Sequence, residues 1–261
     1  MARVHWRPMT TPPARDYDPT PSPPLAAEAT ERLARVSTAT LTSVLLKLGI
    51  RTPFMRRVRP VAMGRRLVGK AYTLRYVPMR EDLDGDALEG RFDNLANAQR
   101  VAVEHVGPGD VMVIDAREQV DAGTIGNILV TRMRVRGAAG IVTDGSFRDA
   151  AGIAAVGLPA YSAGTHAATN VTIHHPVDVQ RPVACGGVAV YPGDAIVGDD
   201  DGVIVVPRHL VEESAARAIE QERRERFILA RISGGASIIG TYPPDATTLA
   251  AYGEAGASGE A

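Results

Sequence analysis

The 261-residue sequence carries 29 basic and 30 acidic residues, and 45% of its residues are hydrophobic. The formal net charge of −1 gives no reason to expect nucleic acid or an anionic membrane as a partner, and the single cysteine, Cys185, excludes an intrachain disulfide. Apolar runs shorter than the roughly 18 residues of a membrane span, and an N-terminus without a signal-peptide pattern, favour a cytoplasmic protein.

The N-terminal half predicts an arm, a helix and two strands. Residues 1–25 are rich in proline and predict an arm that is flexible or packs on a neighbouring chain, because such a segment buries little apolar surface. Apolar residues recur at three- and four-residue spacing over residues 26–48, which predicts a helix that ends at Gly49. Residues 67–77 and 111–115 predict strands.

The middle of the chain alternates between helix and strand patterns. Residues 124–136 predict a helix, and residues 140–144 and 158–162 predict strands. A short helix that ends near Gly157 is expected between these two strands. Strands that alternate with helices indicate a layered α/β domain and exclude a helical bundle or a β-sandwich.

The C-terminal part predicts β-hairpins and a long helix. Residues 188–207 contain apolar runs separated by turn residues, the first turn being residues 192–194. A charged helix is expected over residues 208–231. We expect a single domain over residues 26–245, followed by a polar tail over residues 246–261.

The most informative polar pair is Arg148 and Asp149, which follow the strand predicted at residues 140–144. Open α/β sheets bind ligands where such strands end. A guanidinium group can hold a carboxylate through two hydrogen bonds, and a carboxylate can hold Mg²⁺. Taken alone, however, an Arg–Asp dipeptide is more typical of a surface turn that caps the next helix.

A second candidate site is the glycine-containing segment at residues 121–129. Gly123 and Gly126 precede a helical pattern, so backbone N–H groups there can receive an anionic oxygen. Two glycines are a weak signal, and a tight strand-to-helix turn explains them more simply.

Other polar groups favour structural interpretations. The acidic run at residues 199–201 is typical of a hairpin turn. His174 and His175 lack the spacing of metal ligands, and Cys185 has no activating neighbour. The charged run at residues 220–226 is typical of the solvated face of a helix.

Four segments in sequence order resemble the RraA-like family, which includes the 4-hydroxy-4-methyl-2-oxoglutarate aldolases. They are residues 108–115 (PGDVMVID), 123–149 (GTIGNILVTRMRVRGAAGIVTDGSFRD), 157–164 (GLPAYSAG) and 192–207 (PGDAIVGDDDGVIVVP). The ordered set is specific, and it makes a functional role for the Arg–Asp pair more convincing than a surface turn.

The resemblance implies an α/β/β/α sandwich of the swivelling-domain type, assembled as a trimer or hexamer with sites at subunit boundaries. It implies that Arg148 binds the carboxylate and keto end of a small 2-oxo acid and that Asp149 ligates Mg²⁺ or Mn²⁺. The backbone that would contact the pyruvate portion is that of Gly126, Asn127, Ile128 and Leu129. The implied activity is metal-dependent cleavage of a C–C bond through a pyruvate-type enolate, as an aldolase first and an oxaloacetate decarboxylase second.

The chain departs from the family pattern at two positions near this site. Catalytic members often carry acidic residues where this chain has Asn127 and Gly152. A neighbouring subunit's last helix would then supply an acid such as Glu222 or Glu225. Two rival functions therefore stay open: a sugar-acid dehydratase on the same site, and a non-catalytic RraA-type protein that binds and inhibits a ribonuclease.

Residues 78–100 form a longer segment than in the shortest family members, and its charged residues Arg80, Glu81 and Asp82 are unassigned candidates for shaping substrate entry. The general base is expected to be water, since His166 is the only histidine near the Arg–Asp motif in sequence.

Overall fold

The computed structural model describes residues 18–91 and 93–258. The described part has eight α-helices: α1 Ala27–Ala34, α2 Thr38–Lys47, α3 Glu81–Leu88, α4 Ala98–His105, α5 Asn127–Val135, α6 Ala150–Val156, α7 Val211–Ser233 and α8 Ala246–Ser258. Its strands are β1 Arg59–Pro60, β2 Leu67–Pro78, β3 Asp110–Asp115, β4 Gly140–Thr143, β5 Ser146–Phe147, β6 Ala160–Ser162, β7 Gly164–Thr165, β8 His174–Val179, β9 Val183–Cys185, β10 Val188–Val190, β11 Ala195–Asp199 and β12 Gly202–Val206. Short 3₁₀ helices cover Asn170–Thr172 and Arg208–Leu210.

One eight-stranded mixed sheet organises the fold. Its strand order is β1-β6-β4-β3-β2-β11-β12, and β8 also pairs with β2. Strands β2, β3, β4 and β6 are parallel neighbours, whereas β11 runs antiparallel to β2 and β12. The parallel strands end at one edge, and the loops that follow them carry the candidate site.

Three apolar clusters divide the fold into layers. Helices α4, α5 and α6 cover one face of the parallel strands, with Tyr72, Met112 and Ile141 beneath them. The opposite faces of β3, β4, β11 and β12 meet in a second cluster that the β9–β10 hairpin closes. Helices α1, α2 and α7 cover the outer face of β11 and β12. The single sheet curves until β3 and β4 face β11 and β12 across the second cluster, so it supplies both inner layers. The order helix, sheet, sheet, helix confirms the predicted α/β/β/α sandwich.

The single helix predicted over residues 26–48 is wrong, because the chain breaks into α1 and α2. Ser37 is extended and its Oγ accepts a hydrogen bond from Thr40 N at 3.0 Å, so it caps the start of α2. The apolar spacing continues across the break since both helices pack on the same sheet face, and periodicity alone therefore did not reveal the cap.

The predicted turn at residues 192–194 does not join a hairpin. Strand β10 pairs with β9, and β11 pairs with β12 and β2. The hairpin that the sequence analysis missed turns at Gly186 and Gly187, which have φ angles of 56° and 76°. Two consecutive positive φ angles are what a two-residue hairpin turn requires, and glycine adopts them without strain.

The long C-terminal helix begins at Val211, after a 3₁₀ turn, and ends at Ser233. The predicted polar tail over residues 246–261 is instead helical over Ala246–Ser258. That helix contacts α7 through the rings of Phe227 and Tyr252, whose centroids lie 5.5 Å apart, and through a hydrogen bond from Tyr252 Oη to Glu220 Oε1.

The described part of the predicted arm, residues 18–25, lies against its own chain. Tyr72 Oη donates to the carbonyl oxygen of Pro19 at 2.9 Å, and Arg208 donates to those of Pro23 and Pro24 at 3.0 and 2.9 Å. Residues 1–17 of the predicted arm lie outside the described residues. No helix in the described ranges is long and apolar enough to cross a membrane.

Candidate active site

Backbone hydrogen bonds bring the two candidate segments side by side. Thr124 N donates to Ser146 O at 2.7 Å and Arg148 N donates to Ile125 O at 3.0 Å, so the glycine-containing segment runs along β5. Close packing requires glycine at position 123: a Cβ there would lie 2.5 Å from Arg148 Cβ. The structure therefore places Arg148 directly beside the start of α5.

Asp149 adopts a left-handed backbone conformation, with φ 57° and ψ 41°. A non-glycine residue at positive φ is uncommon, and aspartate and asparagine tolerate it best. This turn directs the carboxylate toward Gly126, where an added Cβ would lie 2.9 Å from Asp149 Oδ2. The glycine thus leaves room for the carboxylate, which the sequence signal at Gly126 could not specify.

The first turn of α5 begins without a side-chain cap. Its N-cap, Gly126, has no side chain to accept a hydrogen bond from the helix. The backbone N–H groups of the first turn therefore lack a side-chain cap, and the helix dipole adds partial positive charge there. This arrangement suits a carboxylate or keto oxygen.

These elements border a cleft of about 200 Å³. A cleft of this volume suits a small acid. The lining residues are Gln99, Arg100, Gly123, Ile125, Gly126, Asn127, Ile128, Leu129, Arg148, Asp149, Thr169 and Asn170. All six residues predicted for the site thus lie together in one cleft.

Three ionisable side chains line the cleft: Arg100, Arg148 and Asp149. The side chains of Arg148 and Asp149 are 49% and 47% exposed, and Arg148 Nε lies 3.9 Å from Asp149 Oδ1. This separation leaves both groups accessible to a ligand. Because two cations face one carboxylate, the cleft favours anionic ligands.

The residues present fit a hydrated divalent cation. Within the described ranges no group of three or more His, Cys, Asp or Glu side chains is placed to hold a metal ion. Asp149 would therefore be the protein carboxylate, and water and ligand oxygens would complete the shell. Mg²⁺ keeps several waters and uses one or two carboxylates in such sites, so one exposed carboxylate suffices.

Asn127 and Gly152, the two departures from the family pattern, are in contact. A Cβ added at Gly152 would lie 2.7 Å from Asn127 Nδ2 and 3.1 Å from Asn127 Cβ. The asparagine side chain therefore occupies the space into which a side chain at position 152 would project. The residue types at positions 127 and 152 are therefore sterically coupled.

The sequence analysis missed four residues of the cleft lining, namely Gln99, Arg100, Thr169 and Asn170. Gln99 and Arg100 lie in the first turn of α4, and neither belongs to a recognised motif. Gln99 is 4% exposed and donates hydrogen bonds from Nε2 to Tyr76 Oη and Thr124 O at 2.7 and 2.8 Å. Gln99 is recognisable as a buried polar side chain beside the candidate site, but this burial is visible only in the folded structure.

The residues interpreted as structural make structural contacts. His174 is buried and stacks on Tyr76, and burial, followed by the nearby Arg117 charge, lowers its pKa to about 4. Cys185 is buried, which raises the pKa of its thiol. Asp199 accepts hydrogen bonds from Thr38 N and Oγ1, each at 2.7 Å, and so joins the β11–β12 turn to α2.

The remaining candidates lie outside the cleft lining. Arg80 forms an ion pair with Asp82 at the start of α3. His166 Nδ1 accepts a hydrogen bond from Ala168 N at 3.1 Å, and Glu81 is exposed.

Glu222 has a structural role within its own chain. Its Oε1 accepts from Ser37 N and Ser37 Oγ, both at 2.9 Å, and from Thr40 Oγ1 at 2.8 Å. Burial alone would raise the pKa of this carboxyl, but the hydrogen bonds outweigh it and the pKa lies below its usual value. Glu222 thus anchors the N-terminus of α2 within its own chain, and its role in a neighbouring subunit's site stays a prediction.

Replacing Glu222 with alanine should lower the free energy of unfolding by about 1–3 kcal/mol, because Ser37 N–H loses its acceptor. Glu225→Ala is the matched control, since Glu225 accepts one bond, from Gln221 Nε2; it should change stability by less than about 0.5 kcal/mol. Urea unfolding of both variants measures this. A loss of activity in Glu222→Ala without a loss of stability would instead indicate a catalytic role.

Comparison with known proteins agrees with the architecture. The model of the RraA-like family (Aldolase/RraA) matches residues 34–205. A crystal structure of a Pseudomonas syringae pv. tomato protein superposes with a TM-score of 0.72 at 26% identity, covering 85% of this chain and 100% of that one. Streptomyces coelicolor RraAS2, described as an unusual member of the RNase ES inhibitor RraA family, gives a TM-score of 0.71 at 35% identity, covering 79% and 98%.

Among curated sequences, a Halalkalibacterium halodurans protein named as a candidate 4-hydroxy-4-methyl-2-oxoglutarate aldolase is 37% identical over 141 residues. The match covers 52% of this chain and 65% of that protein. Protein DlpA of Legionella pneumophila is 27% identical over 230 residues, which is 86% of this chain but 36% of DlpA. The chain therefore spans less than two thirds of these relatives' lengths. With the family model matching most of the chain, this protein belongs to the RraA-like (Aldolase/RraA) family.

Proposed function

We propose that this protein is a divalent-metal-dependent lyase that cleaves a C–C bond of a small 2-oxo acid through a pyruvate-type enolate. The observation that carries the proposal is the convergence of Arg148, Asp149 and the uncapped first turn of α5 on one small cleft. The relative named as a candidate aldolase supports the same reaction class.

Each element of the cleft has a distinct task in this proposal. The Arg148 guanidinium holds the substrate carboxylate, and the N–H groups of the first α5 turn receive carboxylate or keto oxygens. Asp149 would hold Mg²⁺ or Mn²⁺, and a cation bound there supplies positive charge that stabilises the enolate oxygen. Arg100 adds a second positive charge on the α4 side of the cleft.

The cleft can support two related reactions. In retro-aldol cleavage, a 4-hydroxy-2-oxo acid loses its hydroxyl proton, C4 becomes a carbonyl carbon and the C3–C4 electron pair remains on C3. In decarboxylation of oxaloacetate, the same electron pair remains on C3 when CO₂ leaves. C3 then takes a proton and pyruvate is released. Water would exchange these protons, since the described cleft residues include no histidine or second carboxylate.

Pyruvate release tests the proposal. The purified protein is incubated with 4-hydroxy-4-methyl-2-oxoglutarate or oxaloacetate, with Mn²⁺, Mg²⁺ or EDTA. We expect metal-dependent release of pyruvate that EDTA abolishes. The preferred substrate distinguishes aldolase from decarboxylase. Failure to release pyruvate from either substrate with either metal would contradict the proposed activity.

The similarity to Streptomyces coelicolor RraAS2 favours a second candidate function, inhibition of a ribonuclease through protein contacts. An inhibition assay with an RNase E-type enzyme distinguishes the two functions. Inhibition by both the wild-type protein and Arg148→Ala, with no pyruvate release, would favour the binding protein.

The proposal also includes a homo-oligomer, either a trimer or a hexamer. Ile128 supports it, because this cleft-lining residue is 80% exposed and would be buried by a subunit packed over the cleft mouth. Light scattering coupled to size-exclusion chromatography measures the assembly state.

A further inference from the structure

The side-chain amide of Gln99 is held in one orientation beside the cleft. Its Nε2 donates to Tyr76 Oη and to Thr124 O, so both hydrogens of the amide nitrogen are used. The carbonyl oxygen of Thr124 can only accept, which requires the amide nitrogen, and not the oxygen, to face it. The orientation of the amide is therefore determined, and Oε1 points away from these partners.

Oε1 of Gln99 remains available to a ligand. None of the hydrogen bonds of Gln99 in the described part of the chain uses this atom. The buried side-chain atoms without a partner among the described residues are Arg66 Nε and His174 Nε2, so Oε1 is not sealed inside the protein. Because Gln99 is 4% exposed and lines the cleft, Oε1 is accessible from there.

Gln99 Oε1 is a neutral acceptor in a fixed orientation; the other side-chain acceptors of the cleft lining belong to Asp149, Asn127, Thr169 and Asn170. Arg100, Arg148 and the first turn of α5 present donors, which suit the carboxylate and keto oxygens of a 2-oxo acid. Ionised pyruvate and oxaloacetate carry acceptors and no hydroxyl donor in their keto forms. A hydroxyl group at C4 adds a donor, which matches Gln99 Oε1.

We propose that Gln99 is a specificity-determining residue, whose Oε1 accepts a hydrogen bond from the hydroxyl group of a 4-hydroxylated 2-oxo acid. The inference rests on the proposed lyase function and selects the aldol-type substrate over oxaloacetate. A site that hydrogen-bonds a substrate hydroxyl discriminates against the analogue that lacks it, because the acceptor is then left without its partner. Because water can enter the open cleft and donate to the unpaired oxygen, the penalty is reduced. We therefore expect the hydroxylated compound to bind about tenfold more tightly than the analogue without the hydroxyl.

The test compares two ligands and two variants. Binding of 4-hydroxy-2-oxoglutarate and 2-oxoglutarate, which differ by one hydroxyl, is measured by calorimetry in EDTA, where the proposed lyase cleaves neither compound. Wild-type protein should favour the hydroxylated ligand about tenfold. Gln99→Met removes the acceptor at similar size and should abolish this preference, leaving the 2-oxoglutarate affinity within about twofold. Tyr76→Phe is the matched control, because it loosens the amide but keeps Oε1 and should keep the preference.

Each alternative outcome is distinct. Equal wild-type affinity for the two ligands overturns the role of Gln99 while leaving the proposed lyase intact, and this comparison needs no variant to fold. An equal loss of both affinities in Gln99→Met assigns Gln99 a structural role. Weaker Mn²⁺ binding by Gln99→Met, measured without organic ligand, assigns Oε1 to the cation instead. If wild-type protein binds neither compound, the proposed function itself fails.

Discussion

Replacing Asp149 with asparagine should lower the metal-dependent release of pyruvate at least 100-fold, because the cleft then loses the carboxylate that would hold the cation. Asparagine is the sharpest substitution because it also tolerates the left-handed backbone at φ 57°, whereas alanine would add strain of roughly 1 kcal/mol. Steady-state assays across a Mn²⁺ titration, together with thermal unfolding, measure the effect.

Asp121→Asn is the matched control, because Asp121 is exposed, lies close in sequence and does not line the cleft. We expect its activity and its Mn²⁺ dependence to equal those of the wild type. An Asp149→Asn variant that folds and keeps full Mn²⁺-stimulated activity would contradict the assignment of Asp149.

The second large effect concerns the stability of the fold. Lys70 Nζ contacts Asp110 Oδ1, and the two side chains are 5% and 2% exposed. Asp110 Oδ2 also accepts a hydrogen bond from Gly107 N at 2.9 Å. Replacing Lys70 with methionine leaves this buried carboxylate without its cationic partner, which should lower the free energy of unfolding by about 3–5 kcal/mol. For a protein of this size, the unfolding temperature should fall by roughly 6–20 °C.

Two further variants test whether this loss of stability arises from the unpaired charge of Asp110. Asp110→Asn added to Lys70→Met removes that charge and should recover part of the stability, because asparagine can still accept from Gly107 N. Arg132→Met breaks the exposed Arg132–Glu104 ion pair and should cost no more than about 1 kcal/mol. A Lys70→Met cost as small as that of Arg132→Met would show that the pair contributes little.

The sequence predicted the elements around the cleft because their patterns are local. The strand at β4 and the turn at Arg148 and Asp149 are adjacent in the chain, so apolar pattern and turn chemistry predicted their order. The resemblance to the family implied, in addition, that the backbone of Gly126 contacts the substrate. The steric reason for this glycine, its closeness to Asp149 Oδ2, requires the fold.

Other features depend on contacts between distant parts of the chain. Gln99 reaches the site only because α4 packs beside α5 and over β2, and its own segment has no motif. Glu222 reaches Ser37 across 185 positions, so its place in a charged run suggested only a solvated helix face. The partner of β10 was likewise decided by the Gly186–Gly187 turn and the second apolar cluster, not by the next turn along the chain.

The most direct test of the central claim is an anomalous diffraction map from crystals grown with Mn²⁺ and soaked with pyruvate. We expect a manganese peak in contact with the Asp149 carboxylate, with pyruvate between that peak, the Arg148 guanidinium and the first turn of α5. A fully occupied manganese site elsewhere on the protein, with an empty cleft beside Gly126, would contradict it.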